Sequence, residues 1–240
     1  MSAGMRAGHL AARPVLPSRP MSDSGPSLLL ASASPRRRRL LAWLGLPYEC
    51  ASFDTPEDLA TPAADPQELA CLLAAEKAVA ARGAGLGPAG ATVLGFDTIV
   101  VLDGDVLGKP ADTGDAWRML RALSGRTHEV VTGCAVLLAG DLEPRTFAVT
   151  TRVLMRELDD DAIRAWMARG EYLGCAGAYN IEGQVAEVTG DECYQNVAGL
   201  PLCHLRAELA ALGIASASPV AACDAALGRS CTLGPRVTGV

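Results

Sequence analysis

The sequence predicts an α/β protein built on a mixed sheet, and three observations carry that prediction. Apolar runs of strand length alternate with segments of helical period along most of the chain. Two of those runs are long and enter or leave tight turns, one at Asp103-Gly104 and one after Ser124-Gly125, which is the pattern of antiparallel hairpins. Half of the 240 residues are hydrophobic and only 4% are aromatic, a composition of small aliphatic side chains that suits helices packed closely on a sheet.

The elements follow in order. Leu28 to Ala31 forms a strand, Pro35 to about Leu44 a helix opened by Pro at its first position, and Tyr48 to Ser52 a second short strand. After a polar Asp/Thr/Pro loop, Pro66 to about Arg82 reads as a helix with Leu69, Leu72, Leu73 and Ala80 on its buried side. The long strand over 92–102 returns through an Asp-Gly turn as a hairpin arm. Asp112 then caps a helix to Leu123, and a turn at SGRTHE leads into a strand from Val130 to Ala139. Arg145 to Met155 follows, Asp159 caps a helix to Arg169, and GCAGAYNIEG is broken by glycine. Val185 to Thr189 is the last strand and Leu200 to Leu212 a closing helix. Such hairpins require antiparallel pairing in a sheet that also takes crossovers.

Residues 1–26 carry four prolines, three arginines and no hydrophobic period, and are expected to form a disordered extension before a domain over 27–213. The tail over 214–240, rich in Ala, Ser, Gly and Pro, is expected to be loose. The longest uncharged run, Leu209 to Cys223, is too short for a membrane span and contains Pro219. Eight cysteines show no C-x-x-C pair and no Cys/His spacing of a zinc site, which reads as reduced thiols in a cytoplasmic protein.

Chemistry concentrates at a few places. The run LLLASASPRRRR ends an apolar strand in a Ser-rich turn and opens a helix into four arginines, in a chain whose net charge is -6. Orphan N–H groups beside Arg36 and Arg37 would make a phosphate cradle, whereas Arg38 and Arg39 point elsewhere on the helix and are solvated or paired. Asp97 interrupts an otherwise apolar strand, so its carboxylate must be paired, metal-bound or catalytic. Lys77 lies on a helix, and Lys109 sits in a Gly-Lys-Pro turn that limits its wandering. His128, in SGRTHE, is either a base or, as a lone histidine entering a strand more often is, a hydrogen-bonded scaffold residue. Glu182, in a glycine-flanked loop, is either an exposed acid or a group that accepts from a base edge or holds a metal.

Taken together, SASPRR at 32–37, LAAEKA at 73–78, FDTIVVLDG at 96–104, LGKP at 107–110, LSGRTHEVVTG at 123–133, GCAGAYNIEG at 174–183 and NVAGLPL at 196–202 resemble the Maf family of nucleoside triphosphate pyrophosphatases. The resemblance implies an elongated twisted sheet with flanking helices and two lobes around a central cleft, similar to that of inosine triphosphatases. It implies hydrolysis between the α and β phosphates to a monophosphate and pyrophosphate, with Mg²⁺ or Mn²⁺ as cofactor. Asp97 takes the proton-acceptor position; Arg36, Thr98 and Glu182 take specificity positions; Ser34, Arg37, Lys77 and Lys109 take phosphate-facing ones. A homodimer is expected, with a nucleotide as partner and neither nucleic acid nor membrane.

Two departures from the family pattern stand out. FDTPED at 53–58 has Thr55 where a glutamate is expected, so Glu57 becomes the candidate metal ligand beside Asp97. Asp97-Thr98 and SGRTH resemble the branch acting on dTTP and UTP, while GCAG and Glu182 resemble the branch acting on 7-methyl-GTP. A non-catalytic nucleotide- or DNA-binding regulator of cell division is the alternative reading; an inosine triphosphate pyrophosphatase would carry its own motifs, which are not found.

Overall fold

The computed structural model describes residues 27–52 and 58–239. Its strands are β1 (Leu28–Ala31), β2 (Tyr48–Ala51), β3 (Thr92–Leu102), β4 (Asp105–Leu107), β5 (Thr127–Leu137), β6 (Arg145–Met155) and β7 (Ala186–Val188). They form one seven-stranded sheet in the order β2-β1-β3-β5-β6-β7, with β4 paired to β3 off that path. The mixed sheet is as expected: β1 runs parallel to both neighbours, and every pairing from β3 onward is antiparallel. β5 begins at Thr127 rather than Val130, because Thr127 and His128 already pair with Leu154 and Val153 of β6.

The helices are α1 (Pro35–Leu41), α2 (Pro66–Gly83), α3 (Thr113–Leu123), α4 (Asp160–Ala168), α5 (Tyr194–Val197), α6 (Leu202–Ala211), α7 (Val220–Leu227) and α8 (Leu233–Thr238). Asp65, Asp112 and Asp159 cap α2, α3 and α4, each accepting from the N–H three residues on at 2.7–2.8 Å. No helix among the described residues is long and apolar enough to cross a membrane.

The sheet separates two cores. On one face Leu28, Leu30, Leu94, Phe96 and Val100 pack against α1, α3, α4 and α6. On the other, Leu29, Val93, Ile99 and Val131 pack against the alanine-rich side of α2, which carries Leu69, Ala70, Leu73, Ala74 and Ala78. That helix lies unusually close to the sheet. A methyl built on Gly133 would stand 2.0 Å from the Ala70 carbonyl oxygen, and one on Gly95 2.2 Å from that of Ala74. Glycine at both positions lets backbone touch backbone.

Register also opens a gap beside β3. Pairing with β1 ends where Gly95 meets Ala31, and pairing with β4 begins only where Val100 meets Leu107, so Phe96 to Ile99 face no strand on that side. Asp97 and Thr98 lie in this interval.

Residues 214–239 differ from expectation. They carry α7 and α8, with α8 packed on α6 and Asp224 Oδ1 accepting the Cys231 N–H at 2.7 Å. The reason is burial: Ile214 and Cys223 are 7% and 4% exposed, so this weakly patterned segment has an apolar side to cover. The N-terminal extension expected over 1–26, and the acidic loop with Glu57, lie outside the described residues.

Candidate active site

The gap in the sheet becomes the floor of a cleft of about 410 Å³. Ser34, Arg36, Arg37, Lys77, Asp97, Thr98 and Lys109 all line it, so seven of the residues singled out in the sequence converge from α1, α2, β3 and the turn after β4. Asp97 is 2% exposed and forms an ion pair with Lys77, whose side chain reaches over from α2. Because α2 is seated directly on Gly95 and Gly133, the reach of Lys77 is set by close packing.

Arg37 is held by the protein on three sides. Its Nη1 donates to the Phe96 carbonyl at 2.9 Å, its Nη2 to Thr98 Oγ1 at 2.9 Å and its Nε to the Gly199 carbonyl at 2.9 Å, while Nη1 also lies 3.4 Å from Ser32 Oγ. A strand's donor would satisfy the Phe96 carbonyl in an unbroken sheet; here a guanidinium does so. Thr98 continues the chain of bonds. Thr132 gives its only hydroxyl proton to the Asn196 carbonyl at 3.0 Å, so Thr98, 3.0 Å away, must donate to Thr132 and accept from Arg37. The amide of Asn196 in turn donates to the carbonyls of Val130 and Val149. Arg37 and Thr98 therefore belong to a buried polar relay joining α1, β3, β5 and α5.

The Ser-rich turn is more self-satisfied than an open cradle. Ser34 N–H donates to Ser32 Oγ at 3.2 Å, and the Arg37 N–H to Ser34 Oγ at 3.4 Å. Arg36 extends across the cleft, its Nη2 3.3 Å from Cys175 Sγ. Gly177 N–H donates to the Gly108 carbonyl at 3.0 Å, tying that far wall to the turn that presents Lys109.

Glu182 is placed elsewhere. Its carboxylate pairs with Arg39, and it does not line the cleft. Asn180 explains the turn: its Oδ1 accepts the Gly183 N–H at 2.9 Å, closing a single turn of 3-10 helix over Ile181–Gly183 that buries Ile181 and points Glu182 outward. Asn180 and Tyr179 face the cleft instead, as do Cys175 and the Val197–Gly199 segment. Sequence reasoning passed over these residues, although they sit inside two of the motifs quoted above. Behind Tyr179, His128 Nε2 lies 2.7 Å from its hydroxyl, and burial pushes the imidazole down to about 4, so it is neutral near pH 7. The scaffold role expected for His128 agrees with this contact.

As to metal, no group of three His, Cys, Asp or Glu side chains among the described residues converges to hold an ion. The described donor set is one carboxylate, Asp97. That does not make an all-protein cage, but it fits Mg²⁺, which is commonly held by one or two carboxylates with phosphates and water completing its shell.

A mixed sheet with a buried carboxylate and several cations around one crevice defines a protein for a small phosphate-bearing ligand. The particular family is shown by comparison: the model of Maf-like proteins matches residues 27–212, and the chain belongs to that family. A dTTP/UTP pyrophosphatase of Geobacter metallireducens is 42% identical over 78% of this chain and 96% of its own length. Those of Pelotomaculum thermopropionicum and Moorella thermoacetica are 45% and 47% identical, covering 74% and 78% of this chain and 92% and 95% of theirs. A solved structure of the Staphylococcus aureus Ham1 protein matches at a TM-score of 0.37 and 17% identity, over 54% of this chain and 71% of that one, too slight a likeness to bear on function.

Proposed function

We propose that this protein hydrolyses nucleoside triphosphates between the α and β phosphates, releasing pyrophosphate, and that dTTP and UTP are its substrates. The observation that carries the reading is the nearly fully buried Asp97 carboxylate in a cleft that also holds Arg36, Lys77 and Lys109. A triphosphate brings close to four negative charges, and attack at the α phosphorus develops more on the departing pyrophosphate, so cations on more than one wall are what the reaction needs. Lys77 pairs directly with Asp97 and fixes the carboxylate at the cleft, where it can orient or deprotonate the attacking water. Lys109 and Arg36 stand where they can neutralise phosphate oxygens; Arg37 and Thr98 shape the floor.

A divalent cation bound by the substrate phosphates and Asp97 would add charge neutralisation to that of the side chains. The choice of dTTP and UTP is supported by the names of the relatives and by Asp97-Thr98. Glu182, one of the two features that resemble the 7-methyl-GTP branch, pairs with Arg39 and does not line the cleft, which favours the pyrimidine reading.

The test is a panel of canonical and modified nucleoside triphosphates with Mg²⁺ or Mn²⁺, in which pyrophosphate and orthophosphate are measured separately. Pyrophosphate from dTTP and UTP, in excess over purine nucleotides, is expected. Equal background rates for the wild type and Asp97→Asn would make the protein a nucleotide binder without chemistry.

A further inference from the structure

Outside the lining of the cleft, four of the eight cysteines meet at one place. Cys193 precedes α5, Cys203 lies on α6, Cys223 on α7 and Cys231 in the turn before α8, and all four line a single small cavity of about 20 Å³. The last two belong to the segment beyond residue 212, where the match to the Maf-like family ends. This cluster is thus assembled half from the family domain and half from the tail.

Two of the four sulfurs flank Gly234. A methyl built on Gly234 would lie 3.3 Å from Cys203 Sγ and 3.6 Å from Cys231 Sγ, so both sulfurs border the same backbone position as well as the same cavity. The Gly234 N–H also points at Cys231 Sγ, 3.3 Å away, and Asp224 fixes the Cys231 backbone. Bringing the two sulfurs to the ~2.0 Å of an S–S bond calls for side-chain rotation and movement of the turn that carries Cys231. Among the described residues no three metal-ligating side chains converge on one point, which argues for pairwise thiol chemistry over a metal centre.

We infer that Cys203 and Cys231 form a reversible disulfide that fastens the C-terminal segment to α6. The co-reactant is a low-molecular-weight disulfide. Cys231 is partly exposed and is the first to meet it, whereas Cys203 is buried. The Cys231 thiolate attacks one sulfur of the reagent, the reagent's S–S bond breaks, and one thiol leaves with a proton. The Cys203 thiolate then attacks the Cys231 sulfur of the mixed disulfide and expels the second thiol. Two protein thiols are oxidised, and one small disulfide is reduced to two thiols. Burial raises Cys203 to about 11 and Cys193 and Cys223 to about 12, so Cys203 reacts second, through the small thiolate fraction it holds at pH 8, once Cys231 carries the mixed disulfide.

The experiment is incubation of the full chain with oxidised glutathione at pH 8, alkylation of remaining thiols, and peptide mapping without reduction. A Cys203–Cys231 linked peptide is expected, with a rise in Tm of about 5–10 °C that dithiothreitol reverses. Cys231→Ser should abolish both while leaving pyrophosphate release unchanged, and Cys203→Ser provides the same readout from the other partner. Absence of the linked peptide under conditions that glutathionylate Cys50 would overturn the inference. So would a dominant link between any other pair, or stoichiometric zinc in the purified protein that thiol reagents release.

Discussion

Arg37 Nη1 donates to the carbonyl oxygen of Phe96 at 2.9 Å, in the stretch of β3 that no neighbouring strand covers. A helix side chain thus completes the hydrogen bonding of a sheet at the one place where the sheet must stay open for a ligand. The same guanidinium holds the Gly199 carbonyl and Thr98 Oγ1 on the adjacent wall.

Replacing Arg37 therefore removes structure as well as charge. Arg37→Lys keeps one cation but cannot make the three directional bonds, since an ammonium lacks the planar fork. The expected result is a loss of about 2 kcal/mol in urea denaturation, with a raised KM for nucleotide. Arg36→Lys, which loses only the contact to Cys175 Sγ among its described bonds, should raise KM with stability almost unchanged.

Asp97→Asn preserves shape and removes the charge that faces Lys77. Pyrophosphate release should fall by at least ~100-fold, in line with loss of a general base, while circular dichroism stays native. A double-mutant cycle with Lys77→Met should be strongly non-additive, because the two groups are one ion pair with side chains only 3% and 14% exposed.

Gly133→Ala tests the seat of α2. The added methyl would fall 2.0 Å from the Ala70 carbonyl oxygen and 2.5 Å from the Cys71 nitrogen, both backbone atoms that cannot swing aside. A loss of about 3 kcal/mol or more is expected, together with lost activity as α2 carries Lys77 away from Asp97. Gly83→Ala, at the end of the same helix and with nothing within 4 Å, should change stability by less than about 0.5 kcal/mol.

His128 makes stability depend on acid. Its folded value, about 4, lies below the ordinary 6.5 because burial disfavours the charged ring. Between those values the unfolded chain binds the extra proton, so unfolding gains as pH falls. Stability should decline from pH 6.5 toward 4, by no more than about 3 kcal/mol from this group, and its contribution should level off below. Urea midpoints measured across that range should show the slope in the wild type and a flatter one in His128→Gln.

Much of this was legible beforehand because the signals were local. Proline at the first position, an aspartate cap and alternating apolar runs each act within a few residues, and α1, α2, α3, α4 and the long strands followed them. Asp97 stood out because a carboxylate inside an apolar strand has few explanations. What sequence could not supply depended on distant partners. The outward turn of Glu182 follows from a cap by Asn180, and the structured tail follows from burial against α6, neither of which has a period of its own. The role of Arg37 in the sheet needed the registers of β1 and β4, which are properties of pairing.

Contact between the carbonyls of Ala70 and Ala74 and the glycines beneath them has a mechanical consequence. With no side-chain cushion in between, helix and sheet cannot slide, so this half of the molecule is an anvil. The opposite wall, from Gly174 to Asn180, is pinned as well, by the Gly177 N–H on the Gly108 carbonyl, the Trp166 Nε1–H on the Ala178 carbonyl and the His128–Tyr179 contact, so the cleft is braced on both sides.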